Sequence, residues 1–142
     1  MVLNLLLDFR FNSRDHNSAG VVKVYHWDDY TWTKVGFDIS GVNRHDLLGS
    51  SLAFISSGNA HTLAIGVPSR FNTGHIICFT LDGSSLYERY SESKINGFVY
   101  GERFGSSIAI SEDGLIAAIG APGADNTVGN VHTFKIDPEK CF

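Results

Sequence analysis

The fold is decided by a stretch of sequence that occurs twice. Residues 103–114 read RFGSSIAISEDG and residues 118–122 read AIGAP, and upstream counterparts read LGSSLA at 48–53 and AIGVP at 64–68. The paired glycines lie 56 residues apart in the first motif (49 and 105) and 54 apart in the second (66 and 120). Self-similarity at a period of this length indicates a protein built from one repeated structural module.

A third motif occurs three times. GHIICF at 74–79 and GNVHTF at 129–134 are 55 residues apart, and GVVKVY at 20–25 precedes the first of them by 54. Residues 4–9 stand where a decayed copy of the AIGVP segment belongs. We therefore expect a partial module at 1–41, a complete module at 42–97 and a second partial module at 98–142.

Each module predicts four short strands separated by tight turns. In the second module the strand-like runs are 49–55, 62–67, 74–81 and 85–95; in the third they are 105–111, 115–121 and 129–136; the first contributes a run at 30–39. Asp82-Gly83 and Asp113-Gly114 are hairpin signals, because glycine adopts positive φ at low cost. No window of eleven or more residues has a helical period, so we predict no helix.

Two of these runs, 62–67 and 115–121, are apolar without alternation, which is typical of strands covered on both faces. In an antiparallel protein this arises when similar sheets stack face to face around an axis, as the blades of a β-propeller do. The predicted fold class is therefore all-β, a partial β-propeller of about two and a half four-stranded antiparallel blades.

Phe104-Gly105 and Gly120-Ala121-Pro122, with the weaker counterparts Leu48-Gly49 and Gly66-Val67-Pro68, resemble the signature of FG-GAP repeat proteins. That family includes the integrin α-subunit propeller and many microbial and algal surface proteins, and the likeness covers about residues 20–134. The resemblance implies a propeller, an extracellular or cell-surface location, and ligand binding through loops on one face. Two and a half modules do not close a ring. Three alternatives stay open: a piece of a longer propeller, a ring assembled from several chains, or an open stack.

Composition argues against several classes of protein. The net charge is −4 and the basic residues are scattered, so no nucleic-acid partner is expected. The apolar run 2–7 is broken by Asn4 and is too short to cross a bilayer, and we see neither a complete signal peptide nor a membrane-spanning segment. For Cys78 and Cys141 a disulfide is possible, but the sequence favours one buried thiol and one loose thiol.

The sequence predicts neither a cofactor nor catalysis. Many FG-GAP repeats bind calcium through alternating Asp and Asn between the two motifs, whereas the intervals here, 56–61 and 111–114, are short and poor in carboxylates. The six histidines show no zinc-ligand spacing. Serines at 50–51 and 106–107 recur with the module, which favours an architectural role over a nucleophilic one.

Ligand binding is expected at loops and exposed aromatic side chains. The loops after the Gly-x-Pro motifs correspond to the ligand loops of the family, and aromatic residues that do not repeat cleanly are predicted surface anchors. The predicted ligand-binding residues are Arg70, Phe71, Asn72, Asp125, Asn126, Tyr30 and Tyr100, with Phe98 as a further exposed aromatic. Trp32 and Tyr87 recur and are predicted to wedge between blades. The predicted function is a non-enzymatic binding or adhesion module for a protein or carbohydrate partner; the alternative is a structural unit that assembles a propeller from several chains.

Overall fold

The computed structural model describes residues 5–10, 18–57, 60–69, 72–82, 85–88, 95–137 and 141, which form three antiparallel sheets. The first sheet contains β1 (Leu5–Arg10), β2 (Val21–Trp27) and β3 (Trp32–Ser40). The second contains β4 (Ser51–Ser57), β5 (Ala60–Val67), β6 (His75–Asp82) and β7 (Ser85–Glu88), with β8 (Ile95–Asn96) also paired to β6. The third contains β9 (Ser107–Ile110), β10 (Ile116–Ala121) and β11 (Asn130–Lys135), and a short helical turn α1 (Ala124–Thr127) joins the last two. The all-β prediction is confirmed.

Strand register shows that the second and third sheets are copies of one unit. Ser51 pairs with Gly66 in the second sheet, and Ser107 pairs with Gly120 in the third. The third strand of each module follows a glycine with φ between 82° and 85°: Gly20, Gly74 and Gly129. Residues about 55 positions apart therefore occupy equivalent places, as the period predicts.

A short turn carries the chain from one sheet to the next and packs on the sheet it has just left. We call Leu48-Gly49 and Phe104-Gly105 the junction turns. The Leu48 amide donates a hydrogen bond to the carbonyl of Ala19, and the Phe104 amide donates to that of Thr73, both at 2.9 Å. Phe104 also forms an isolated parallel bridge with Gly74. The same backbone contacts therefore join the first sheet to the second and the second to the third.

Side chains of β5 alternate between two cores. Leu63, Ile65 and Val67 pack toward the first sheet, in a cluster that includes Val22 and Val24. Ala64 faces the other way, in a cluster shared by the second and third sheets. Every residue from 62 to 67 is buried, so the prediction that this strand is covered on both faces is confirmed.

The same prediction is wrong for β10 in the described chain. Ala117, Ile119 and Ala121 are fully buried, whereas Ile116 is 50% exposed, and the burial pattern alternates along the strand. The buried residues face the second sheet, and among the described residues nothing covers the opposite face of the third sheet. An apolar strand sequence thus marks a strand suited to burial on both faces, even where only one face is covered.

Cys78 and Cys141 form a disulfide, so the prediction of one buried and one loose thiol is wrong. Each residue is only 1% exposed. Cys78 lies in the middle of β6 and Cys141 follows the third sheet, so the bond ties the chain beyond the third sheet back to the second. Because the two residues are 63 positions apart in sequence, only the stacking of the sheets brings them together.

The predicted wedge at Trp32 is also wrong. Its ring lies 5.4 Å from that of Trp27 in the same hairpin, and the residue is 42% exposed. Among the described side chains, Phe37 reaches the neighbouring sheet, and its ring meets Phe79 of β6 edge-on at 6.1 Å. The side chain of Tyr87 lies outside the described part of the structure.

Two local predictions need smaller corrections. We predicted no helix, yet α1 is a four-residue turn in which Asp125 and Asn126 have left-handed φ values of 55° and 54°. The long fourth strand predicted at 85–95 is represented by the short strands β7 and β8, and residues 89–94 lie outside the description. Within the described residues, no helix is long and apolar enough to cross a bilayer.

Candidate binding face

The loop at 97–103, between the second and third sheets, is held from inside by a buried carboxylate. Glu102 is 1% exposed, and its Oε1 accepts a hydrogen bond from the Phe98 amide at 2.9 Å. Gly97 is required beside it, because a Cβ there would lie 2.4 Å from the carbonyl oxygen of Thr73 and 2.7 Å from Glu102 Oε1. The carboxylate therefore fixes the path of the loop and turns the next residues outward.

Three consecutive residues of this loop project into solvent. Phe98 is 65% exposed, Val99 55% and Tyr100 79%. The Phe98 ring is anchored on one side, with ring centroids 6.2 Å from Phe104 and 5.1 Å from His132. Contiguous exposed apolar residues of this kind are a recognised mark of interaction sites, whereas single exposed apolar residues are ordinary.

Backbone hydrogen bonds attach a loop to either side of residues 98–100. The amide of Gly101 donates to the carbonyl of Asn72, and the amide of Gly123 donates to the carbonyl of Glu102 at 2.9 Å. Gly123 must be glycine, since a Cβ there would lie 1.9 Å from the Gly101 carbonyl oxygen. The loop ending at Asn72, the exposed loop and the β10–β11 loop thus share one end of the sheets, which we call the loop face.

The β10–β11 loop presents its polar residues from an uncommon backbone. Asp125, Asn126 and Thr127 all have positive φ, a region in which Asn and Asp are enriched because their short polar side chains tolerate it best. The turn closes through a hydrogen bond of 2.9 Å from the Gly129 amide to the Ala124 carbonyl. Asp125 and Asn126 are exposed.

The equivalent loop between the first two sheets has the same backbone plan but a different surface. Asp46 is 2% exposed and its Oδ2 accepts hydrogen bonds from the amides of Val42, at 3.1 Å, and Asn43, at 2.8 Å. It therefore corresponds to Glu102. The exposed residues at 42–44 are Val, Asn and Arg. Of the two loops, only the one at 97–103 therefore exposes aromatic side chains.

Asp46 and Glu102 are the structural residues that sequence reasoning missed. A signal was present, because an acidic residue stands two positions before each junction turn. An acidic residue near a turn is ordinarily read as solvated, and only the burial of both carboxylates shows that they organise the loops.

The loop face brings together some of the predicted binding residues and not others. Asn72, Tyr100, Asp125 and Asn126 lie on it. Tyr30 does not: it is 90% exposed in the turn between β2 and β3, at the other end of the first sheet. Arg70 and Phe71 lie outside the described residues.

The turn that holds Tyr30 is organised by Asp28. Its Oδ1 accepts hydrogen bonds from the amides of Thr31, at 2.9 Å, and Tyr30, at 3.1 Å, and its Oδ2 accepts one from the Thr33 hydroxyl. These bonds, with that from Thr31 first, hold the pKa of Asp28 below its ordinary value. The aspartate therefore has a structural role in this turn.

A second carboxyl group with a lowered pKa, that of Asp38, lies on the exposed side of the first sheet. The Lys34 ammonium donates to Asp38 at 2.7 Å, and Lys23 lies 3.2 Å from the other carboxyl oxygen. The hydrogen bond from Lys34, followed by that from Lys23, lowers the pKa of Asp38. Because all three groups are solvent-exposed, the cluster adds little to stability.

Three of the four repeated serines, Ser50, Ser51 and Ser106, donate hydrogen bonds to backbone carbonyls. The hydroxyls of Ser50 and Ser106 donate to the carbonyls of Leu47 and Arg103, each at 2.7 Å. Ser51 donates at 2.7 Å to the carbonyl of Gly105, across the boundary between the second sheet and the junction turn. These three partners agree with the architectural role expected from the repetition.

Residues 111–114, one of the two intervals that correspond to the calcium loop of the family, form a closed turn. Asp113 Oδ1 accepts hydrogen bonds from the Ser111 hydroxyl and, at 3.0 Å, from the Leu115 amide; the first of these contributes most to lowering the pKa of Asp113. This is the Asp113-Gly114 hairpin turn that the sequence predicts. Among the described residues, no three His, Cys, Asp or Glu side chains gather closely enough to hold a metal ion.

Comparison with known protein families matches residues 99–134 to the FG-GAP repeat. The matched range begins in the exposed loop and runs through the third sheet to β11. No curated protein matched the chain. The resemblance to FG-GAP repeats carried by Phe104-Gly105 and Gly120-Ala121-Pro122 is therefore confirmed over residues 99–134.

Proposed function

We propose that the chain is a non-enzymatic binding or adhesion module of the propeller type, with each sheet serving as a blade, and that its loop face contacts a protein partner. The FG-GAP repeat supports a propeller-type binding module. The observation that carries the choice of surface is the exposed run Phe98, Val99 and Tyr100. A carbohydrate ligand is the other outcome that the test distinguishes.

The loop has the properties of an interface anchor. Aromatic side chains provide large contact area with few rotatable bonds, and Tyr is enriched among the residues that dominate binding energy. The hydrogen bond from Phe98 to buried Glu102 orders the loop in advance, which reduces the entropy lost on binding. Val99 adds aliphatic surface between the two rings, which favours a protein surface over a sugar.

We further propose an extracellular or cell-surface location. The supporting observation is the disulfide between Cys78 and Cys141, because such bonds form and persist in oxidising compartments and are rare where thiols are kept reduced. Treatment of intact, non-permeabilised cells with a membrane-impermeant protease should remove the protein. Its survival under conditions that degrade a surface control would contradict this location.

The proposed function is tested with two probes offered to the purified full chain: a displayed library of random peptides and an array of oligosaccharides. Binders are then tested against the double variant Phe98→Ser/Tyr100→Ser. The matched control is Tyr30→Ser, which removes a tyrosine that is 90% exposed, against 79% for Tyr100, from the far end of the first sheet. The proposal would be supported by peptides whose affinity falls at least about tenfold with the double variant, which corresponds to about 1.4 kcal/mol. The affinity of the same peptides should be unchanged with the control.

Phe98 touches Phe104 and His132, so the double variant can also loosen the fold. Tyr100→Ser alone serves as the second variant, because Tyr100 is 79% exposed. Oligosaccharide binding that depends on Tyr100 would replace the protein partner with a sugar. If every binder were insensitive to Tyr100, the loop face would not be the binding surface.

A second candidate function is assembly of a propeller from separate units. One observation favours it, namely the open face of the third sheet, where Ile116 is 50% and Val131 63% exposed. The concentration dependence of the sedimentation coefficient of the full chain tests whether copies of this chain form such an assembly.

A further inference from the structure

The apolar layer between the second and third sheets contains fewer and smaller side chains than the layer between the first and second. Among the described residues, eleven buried side chains pack between the first two sheets, and each is valine, leucine, isoleucine or phenylalanine. Eight pack between the second and third sheets, of which three are alanines and two are Cys78 and Cys141. Because stabilisation grows with the apolar surface that is buried, this layer contributes less. The disulfide therefore lies in the layer with the smaller apolar contribution.

The disulfide holds the third sheet against the second. Cys78 lies in β6 and Cys141 lies beyond β11, so the bond closes a covalent loop that contains the whole third sheet. When the bond is absent, only the layer of small side chains and a few backbone hydrogen bonds remain to keep the third sheet in place. Native proteins open in such sub-global units, and the least packed unit opens first. We therefore expect the third sheet to leave the second while the first two stay packed.

The exposed loop that contains Phe98 depends on the third sheet being in place. The Phe98 ring lies 5.1 Å from that of His132 in β11. The Gly123 amide, in the loop after β10, donates to the Glu102 carbonyl at 2.9 Å. Phe98 also meets Phe104, which belongs to the same apolar cluster as the two cysteines. Residues of the third sheet and its loop therefore supply two of the contacts that order this part of the loop face.

We propose that the Cys78–Cys141 disulfide is a redox switch for the loop face. Oxidation of the two thiols seats the third sheet on the second and orders the exposed loop, and reduction releases both. Coupling between two sites requires an element with two arrangements that both sites bias, and here that element is the third sheet, seated or released. The consequence, partner binding only in an oxidising compartment, rests on the proposed function of the loop face.

The co-reactant of the switch is a small-molecule thiol–disulfide couple. In the oxidising direction, the thiolate of one cysteine attacks the small disulfide, forms a mixed disulfide and expels one small thiolate. The thiolate of the other cysteine then attacks the protein sulfur of the mixed disulfide and expels the second small thiolate. Two electrons pass from the cysteines to the small disulfide, and the two thiol protons end on the two small thiols. Reduction is the reverse of these two steps.

Burial decides when the bond can react. Each cysteine is 1% exposed, so a small thiol reaches the bond only while the third sheet is released. The rate of reduction therefore reports the fraction of molecules in which the sheet is released. Contacts of the loop that hold the sheet seated should slow reduction, because two sites that bias one equilibrium affect each other reciprocally.

The first test measures reduction of the oxidised full chain by dithiothreitol, followed by thiol labelling, in two single variants. Phe98→Ser removes the ring contacts with His132 and Phe104, so reduction should be faster by about twofold to tenfold, the range expected for one aromatic pair. Tyr100→Ser is the matched control, because Tyr100 is 79% exposed in the same loop, and its rate should equal that of the unaltered chain. An unchanged rate in Phe98→Ser would overturn the coupling.

The second test separates release of the third sheet from unfolding of the whole chain. Amide hydrogen exchange of Gly123 is compared with that of Leu48, whose amide bonds the Ala19 carbonyl between the first two sheets. Reduction should accelerate exchange of Gly123 at least about 100-fold, because it removes the covalent closure of the loop. In the reduced chain, the protection factor of Gly123 should be at least about tenfold below that of Leu48. Equal protection of the two amides, or an unchanged rate at Gly123, would overturn the proposal.

If the reduced chain does not fold, the oxidised chain supplies the same comparison. The opening constant obtained from its rate of reduction should agree within about threefold with that from Gly123 exchange and exceed that from Leu48 exchange at least about tenfold. Agreement with Leu48 instead would mean that only global unfolding exposes the bond, and would overturn the switch.

A third measurement uses a peptide that binds through Tyr100. Its affinity for the reduced chain should be at least about tenfold lower, as expected when about one molecule in ten has the sheet seated, and it should slow reduction of the oxidised chain. Equal affinity for the two redox forms would show that the loop face is not under redox control. If no such peptide exists, the proposed function fails, whereas the reduction and exchange measurements still decide the coupling.

Discussion

Loss of the Cys78–Cys141 disulfide should lower the free energy of unfolding by about 4 kcal/mol. The bond closes a loop with a sequence separation of 63, and the chain-entropy treatment assigns about 4 kcal/mol to a loop of that length. The measurement is urea unfolding of the full chain with and without reductant. For a denaturant dependence of about 2 kcal/mol per M, the unfolding midpoint should fall by about 2 M.

The control for this experiment is Cys78→Ala/Cys141→Ala, which should match the reduced protein and show no further response to reductant. Thiol labelling of the denatured, non-reduced chain should find no reactive cysteine. If reduction moved the midpoint by less than about 0.5 M, or if both thiols labelled freely, the tie from beyond the third sheet to β6 would not exist as the structure has it.

Three further predictions concern single side chains. Ser51→Ala should cost about 1 kcal/mol of unfolding free energy, because it deletes the hydrogen bond to the Gly105 carbonyl, whereas Ser107→Ala, at the equivalent exposed position, should cost under about 0.5 kcal/mol by the same denaturation assay. Glu102→Ala should cost about 1–3 kcal/mol and speed hydrogen exchange of the Phe98 amide, and Glu102→Gln should restore much of both because it keeps an acceptor. The carboxyl of Asp28 should titrate below the ordinary pKa of 3.8 when its protonation is followed by carbon-detected NMR. Its contribution to stability is therefore complete above pH 3.8 and is lost as the pH falls through the folded-state pKa. A titration midpoint at or above 3.8 would contradict the turn geometry.

The repeated parts of the fold could be predicted because each rests on a local constraint. Gly20, Gly74 and Gly129 recur because the backbone there has positive φ, and at Gly20 and Gly74 a Cβ would also meet the carbonyl of a junction turn. The apolar run of β5 is predictable because burial on both faces removes alternation. Such features depend on residues close in sequence or on the module period.

What could not be predicted depends on how the modules stack. The disulfide partners are 63 positions apart and belong to different modules, so no spacing rule pairs them. From sequence alone, Glu102 is expected to be a solvated surface residue, and only the folded loop around it shows that it is buried. The apolar sequence of β10 predicts that both of its faces are buried. Whether the face opposite Ile119 is covered, however, depends on what packs against the third sheet. Phe37, rather than Trp32, reaches the neighbouring sheet, and this choice depends on where β3 lies relative to β6.

The division between repeating and non-repeating residues also separates the residues that join the modules from those proposed to bind a partner. Phe104 is fully buried between two sheets, Gly105 has φ of 87°, and Gly66 allows the carbonyl of Gly105 to approach. These constraints explain the repeated signature as a device for joining modules, with no requirement for a ligand. The exposed run at 98–100 obeys none of them, since its counterpart at 42–44 has different side chains on the same backbone. Phe98 packs on Phe104 and His132, so the fold accounts for its ring, whereas Tyr100 is 79% exposed and is the residue on which the proposed partner contact chiefly depends.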